Sequence, residues 1–294
     1  YSKVMLKEAL LHADLLSEPW LARSVANAFP SELFSQYSEA VAEHQLRAEI
    51  IATQLANDLV DRMGFSFCFR QMESTGVSAG EVVRAYTMAI NILGIDQLWL
   101  EIESDTYLAA DVQLDLLHMV IRLVRRTTRW FLRNRRLSLD CGLIIEQFTE
   151  PMLAIIEHIK KRDQPEWVEL WEMEKDALIA RQVNPLLAAR LAASDSLFLS
   201  LGIVDTAVMQ QKSIEHAADL YFTLGEYLSL DWFMAHIIAL QSENRWQDLA
   251  RESYVDDLES QRRRLTSTLL GSGVETVQSL LEGWQVSQQP LISR

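Results

Sequence analysis

Apolar residues recur every three or four positions along almost the whole chain, and alternating β-branched runs are absent. That period belongs to amphipathic helices. In the stretch 39–64, Ile51, Leu55, Leu59 and Met63 repeat every four residues, with a second row of Leu46, Ile50, Thr53, Asn57 and Val60 beside it. The two rows form one wide face and predict a single long helix over 39–64 with neighbours on two sides. Asn57 falls inside that face, where an amide needs hydrogen-bond partners. It reads first as a core polar group that fixes helix register, and second as a ligand contact, although no cofactor motif accompanies it.

The stretch 116–136 is patterned differently. Arg122, Arg126, Arg129, Arg133 and Arg136 stand at offsets of 0, 4, 7, 11 and 14, so they share one helical face. Arg125 and Arg135 raise the count to seven within fifteen residues, with no acid among them. Leu117, Val120, Ile121, Val124 and Phe131 fall on the opposite face, with Trp130 toward its edge. The pattern predicts a helix that packs on one side and carries a guanidinium stripe on the other.

The remaining punctuation divides the chain into further helices. Pro19 and Pro30 flank a short one carrying Trp20 and Phe29. Gly64 marks a stop, and 65–75 continues as helix to a break at Gly76. Ser78 and Glu81 have the spacing of a capping box, opening a helix that ends near Gly94. The arginine helix starts near Ala110. Pro151 predicts a kink or break, and Pro185 suits the first position of a helix. Later helices are expected near 186–200, 203–228, 231–241 and 244–270, with Gly271 and Gly273 interrupting before a weak helix containing Trp284. The predicted fold is all-α, a multi-helix bundle in two packed subdomains, 1–162 and 163–294, joined through the polar stretch 160–166.

Charge narrows the function. The 294 residues carry 27 basic and 41 acidic side chains, a net of −14, which argues against general binding of nucleic acid or acidic membranes. The stripe is the local exception. Two cysteines, Cys68 and Cys141, give neither a disulfide framework nor a CxxC metal site, and suit a reducing cytoplasm. No charge-free apolar run approaches the roughly 18 residues of a membrane span, and no signal peptide is visible. The first residue is Tyr1, already inside an amphipathic pattern, as expected of a piece of a longer polypeptide.

Catalytic motifs are sparse. Gly271-Ser272-Gly273 follows a helix and lacks the third glycine of a dinucleotide fingerprint. There is no phosphate loop and no G-x-S-x-G elbow. The six histidines form no H-x-x-x-H pair, and Asp115-x-x-His118 lacks the further glutamates of a di-iron bundle. No catalytic, cofactor-binding or metal residue is therefore assigned. The arginines are left as interface or structural candidates, together with Trp130 and Asn57. Arginine rather than lysine throughout favours bidentate carboxylate pairing, within the chain or between subunits. A solvated charged face comes second, and an anion or phosphate site third.

Several blocks resemble a known family. HQLRAEIIATQLANDLVDRMG (44–64), ESTG (73–76), EVVRAYTMA (81–89) and TRWFLRNRR (128–136) resemble the segment after the catalytic domain of the very large bacterial NAD-specific glutamate dehydrogenases. So do LFLSLGIVDTA (197–207), AADLYFTLGEYLSLDWF (217–233) and RWQDLARESYVDDLESQRRRLTSTLL (245–270). They run in the family's order from about Phe29 to Leu270, with one departure at Val183-Asn184-Pro185, where Gly-Val-Pro is expected. The resemblance implies a parent enzyme that converts L-glutamate, NAD and water to 2-oxoglutarate, NADH and ammonium. It also implies that the cofactor domain and catalytic lysine lie upstream of this chain. On that basis the chain is expected to be a non-catalytic helical region of a cytoplasmic homo-oligomer. It would hold no cofactor itself and would pack on the catalytic domain or on sister subunits, with no nucleic acid or membrane partner. The rival reading is a free-standing interaction or regulatory module whose arginine stripe binds an anionic partner.

Overall fold

The structure is a computed structural model that describes residues 2–13, 29–135, 140–161, 165–241, 243–272, 278–279 and 282–283. Among these, all regular structure is helical. The helices are α1 (Lys3–Leu11), α2 (Ser31–Ala42), α3 (Arg47–Met63), α4 (Phe67–Thr75), α5 (Ala79–Ile92), α6 (Ile95–Ser104) and α7 (Ala110–Asn134). There follow α8 (Cys141–Lys161), α9 (Pro165–Ala180), α10 (Pro185–Ala192), α11 (Ser194–Gln210), α12 (Ile214–Tyr227), α13 (Leu230–Ala239) and α14 (Arg245–Leu270). The all-α expectation holds. Trp20, Arg136, Trp284 and residues 162–164 of the expected junction lie outside the described residues.

Several helix ends follow from local chemistry. The Ser78 hydroxyl accepts from the Glu81 amide while the Glu81 carboxylate accepts from the Ser78 amide at 2.8 Å, so the capping box is real. Gly76, at φ +71°, ends α4 in the left-handed conformation open to glycine. Pro185 is the first residue of α10, capped by the Asn184 side chain on the Leu186 amide. Pro151 sits inside α8, which continues through it.

Other boundaries differ from the sequence expectation. The helix expected over 39–64 is two helices, broken at 43–46. There the Leu46 amide donates to His44 Nδ1 at 3.1 Å, and a turn closes from the Arg47 amide to the His44 carbonyl at 2.9 Å. A side chain thus replaces a helical acceptor. The expected helix over 186–200 ends at Ala192, and the next begins at once, with Ser194 Oγ donating to the Leu191 carbonyl. The expected helix over 203–228 is interrupted at Gln211–Ser213, where Ser213 caps α12 by accepting from the His216 amide. Gly202 lies inside α11 and breaks nothing. Among the described residues, three non-glycine residues at helix ends take left-handed angles: Gln182 (φ 68°), Gln211 (φ 53°) and Ser229 (φ 52°).

Two compact units form, each discontinuous in sequence. The first contains residues 1–150 and 165–198. Its centre is α5, of whose fourteen residues eleven are buried. Helices α1, α3, α4, α6 and α7 pack around α5. That enclosure fits its composition: apolar residues cover most of its circumference, and the half-buried Glu81, Arg84 and Asn91 share one narrow strip. On α3 the row Ile51, Leu55 and Leu59 is buried as patterned, whereas Asn57 and Val60 on the second row are half-buried and Leu46 is exposed. Asn57 therefore flanks the buried face.

The second unit contains residues 151–164 and 199–294. Among its described helices, α12, α13 and α14 pack on one another. His158 meets Asp219 at 2.9 Å, Arg263 meets Asp205 at 2.8 Å, and Gln210 donates to Ser267.

Candidate functional site

The arginine helix is α7, in the first unit. Its buried residues are Val112, Leu116, Val120, Leu123, Val124, Thr127, Thr128, Phe131 and Leu132. Leu117, Ile121 and Trp130, expected on the packed side, are half-buried. The packed face is thus broader than the apolar row, and it takes in both threonines because α3, α4, α5, α6 and α10 all touch this helix. Trp130 forms edge-to-face contacts with Phe131 at 5.2 Å and Phe148 at 6.0 Å, and Phe131 and Phe148 meet at 5.6 Å. This aromatic cluster is a packing feature at the C-terminal end of α7.

The arginines do not share one environment. Arg122, Arg125 and Arg133 are exposed, while Arg126, Arg129 and Arg135 are half-buried. Arg126 donates to Asp195 at 2.5 Å, and its guanidinium lies 4.0 Å from the centroid of the Phe198 ring. Asp195 stands in the first turn of α11. Arg135 lies over Phe148 at 5.8 Å. Burial pushes the Glu174 carboxyl on α9 above its ordinary range, Asp195 adds to that, and Arg122 opposes it. Two further pairs lie in the same unit: Arg181, just beyond α9, meets Asp115 of α7 at 2.6 Å, and Arg190 of α10 meets Glu101 of α6 at 2.6 Å. Arg122 and Arg126 therefore stand among carboxylates of α9 and α11 within the same unit.

Two clusters carry stronger perturbations, and the sequence reading gave neither a role. In the first unit, Arg62 on α3 contacts Asp58 at 3.0 Å and Asp96 at 2.5 Å, and lies 5.5 Å from the Trp99 ring centroid. The Tyr86 hydroxyl donates to Asp58 at 2.7 Å. Burial raises the Asp58 carboxyl above its ordinary range although Arg62 and the Tyr86 hydrogen bond oppose it. Tyr86 is held well above a normal phenol, first by burial and then by the adjacent Asp58. The i, i+4 spacing of Asp58 and Arg62 was the available signal.

The second cluster is in the second unit. Arg262 on α14 has no exposed side-chain surface. It donates to the Tyr221 carbonyl through Nε at 3.2 Å and Nη2 at 3.1 Å, and to Asp231 at 2.8 Å. Its guanidinium lies 3.9 Å from the Tyr221 ring centroid, and the Tyr221 hydroxyl donates to Glu259. Gly225 makes room: a Cβ there would fall 2.6 Å from Arg262 Cζ and 2.7 Å from Asp231 Oδ2. Burial lifts Tyr221 well above a normal phenol, and Glu259 adds to it. The signal was periodic, since Arg262 shares the buried face of α14 with Thr266, Leu269 and Leu270. These contacts join three helices. Among the described residues, no three His, Cys, Asp or Glu side chains converge as metal ligands would, and no single helix is long and apolar enough to cross a membrane.

Comparison with known proteins supplies the context. The family model described as "Glutamate dehydrogenase, C-terminal" matches residues 1–294. The NAD-specific glutamate dehydrogenase of Pseudomonas aeruginosa is 35% identical over 100% of this chain and 18% of its own length. That of Halomonas elongata is 35% identical over 92% of this chain and 17% of its own. The Mycobacterium tuberculosis protein of the same name is 28% identical over 92% and 17%. The chain thus spans less than a fifth of the relatives it matches. With a match along its whole length, the chain belongs to the C-terminal domain family of the large NAD-specific glutamate dehydrogenases.

Proposed function

We propose that this chain is a non-catalytic helical region of an NAD-dependent glutamate dehydrogenase, the enzyme that turns L-glutamate, NAD and water into 2-oxoglutarate, NADH and ammonium. Its role is to support the catalytic domain or the assembly of subunits in the cytoplasm. The observation that carries this reading is the turning of charged groups inward. Arg262 is enclosed by Tyr221 and Asp231, and the Tyr86 hydroxyl donates to Asp58 beside Arg62, so the most enclosed charged clusters hold helices together. NAD and the catalytic lysine belong to the upstream part of the polypeptide on this reading.

Two measurements test it. The purified chain should give no glutamate-dependent NADH and no saturable heat in a calorimetric titration with NAD, and stoichiometric NAD binding would overturn the reading. Removing residues 1–294 from the parent enzyme should lower its activity together with its subunit assembly or its melting temperature. Full activity and unchanged assembly in the truncated enzyme would equally overturn it.

A further inference from the structure

A displacement of 135 positions carries three consecutive helices of the first unit onto three of the second. Helix α5 (Ala79–Ile92) falls on α12 (Ile214–Tyr227) and α6 (Ile95–Ser104) on α13 (Leu230–Ala239), end for end, and the starts of α7 at Ala110 and α14 at Arg245 coincide. The joints agree as well. Ser78 and Ser213 cap α5 and α12 by accepting from the amide three residues on. Left-handed backbone stands at Gly76 (φ 71°) and Gln211 (φ 53°), and again at Gly94 (φ 61°) and Ser229 (φ 52°). Each of the seven residues buried on α12 has a buried counterpart on α5. Tyr86 and Tyr221, Asp96 and Asp231, and the buried Ile102 and Ile237 are identical pairs. Caps and turn angles are set by separate local interactions, so their agreement at one displacement points to a shared plan.

The matched polar residues are bound alike. The Tyr86 hydroxyl donates to Asp58, and Asp96 is held by Arg62; both partners come from α3, four residues apart. The Tyr221 hydroxyl donates to Glu259, and Asp231 is held by Arg262; both partners come from α14, three residues apart. The bracing helix thus precedes the corner in one unit and follows it in the other. A size exchange accounts for the difference. Gly225 corresponds to Ile90 and Arg262 to Thr127, and Ile90, Thr127 and Arg262 are all buried. Gly225 admits the arginine of α14, whose Cζ would lie 2.6 Å from a Cβ there. Where isoleucine fills that place, α7 offers the small Thr127 and the arginine arrives from α3. Exchanges that conserve volume are the ones packed interiors tolerate best. We infer that residues 76–134 and 211–269 are two copies of one helical module. Each copy locks the corner between its first two helices with a tyrosine, an aspartate, a second carboxylate and an arginine. The inference is independent of the proposed function.

The test grafts residues 79–95 in place of 214–230 in the whole chain, keeping Asp219 so that its contact with His158 survives. The graft includes Gly225→Ile. In the parent chain Arg262→Thr should lower the melting temperature by several degrees. In the graft the same change should raise it by several degrees, because isoleucine has taken the space of the guanidinium. A control graft displaced by one residue, 78–94 in place of 214–230, turns the buried face away from its neighbours. With Arg262→Thr in both, it should melt well below the in-register graft. No gain from Arg262→Thr in the in-register graft, or a displaced graft that melts as high, would overturn the inference. Loss of cooperative unfolding in every graft would overturn it too, since an equivalent segment must fold in its counterpart's place.

Discussion

Gly225 illustrates how one missing methyl group admits a buried charge. Arg262 occupies the space a Cβ would need, and that placement delivers its guanidinium to both Asp231 and the Tyr221 carbonyl. Gly225→Ala is expected to destabilise the fold by about 3 kcal/mol, through overpacking and displacement of the pair. Arg262→Met should cost a similar amount by stranding Asp231. Denaturant midpoints check both, and an unchanged midpoint for Gly225→Ala would mean that the close approach does not exist in solution. Asp58 gives a pH-dependent counterpart. Its carboxyl is raised by burial, so the folded state holds the proton more tightly than the unfolded chain does. That contribution favours folding below about pH 4 and is lost as pH rises through the folded pKa. Asp58→Asn removes the titration. Stability measured from about pH 4 upward should therefore fall less steeply with rising pH in the variant than in the parent protein.

At the level of the helix, the arginine-rich α7 combines a broad buried face with a partly engaged charged one. Because Asp195 is 72% exposed, water screens the Arg126 pair, and surface pairs of this kind contribute roughly 0–1 kcal/mol. The stacking on Phe198 adds about 0.5–1 kcal/mol more. Arg126→Ala is thus expected to lower stability by about 1 kcal/mol, and Arg126→Lys should recover the charge but little of the stacking. A loss above 3 kcal/mol on chemical denaturation would show a far more enclosed pair. Much of this element was legible in sequence, including its start at Ala110 and its row Val120, Val124 and Phe131, because periodicity reports one buried face directly. The involvement of Thr127 and Thr128 was not, because packing by several neighbours widens the face beyond its apolar row. The break at His44 escaped for a related reason: apolar positions stay in phase across a short turn, and the side-chain acceptor that interrupts the helix has no periodic trace. Arg262 was hidden by its type, since a cation is assigned to the surface until its partners from two other helices are known.

Across the molecule, paired charged residues occur in both units. Three turns have another significance. Gln182, Gln211 and Ser229 adopt backbone angles that side-chain-bearing residues enter at a cost of about 1–2 kcal/mol each. Glycine removes that cost but loosens the unfolded chain, leaving a net gain of roughly 0.5–1 kcal/mol per site. Combining Gln182→Gly, Gln211→Gly and Ser229→Gly should therefore raise the melting temperature by several degrees, and a scanning calorimeter would show whether it does. The chain consequently holds a reserve of heat tolerance in its connections, which could be drawn on by substitution outside every helix and every charged cluster.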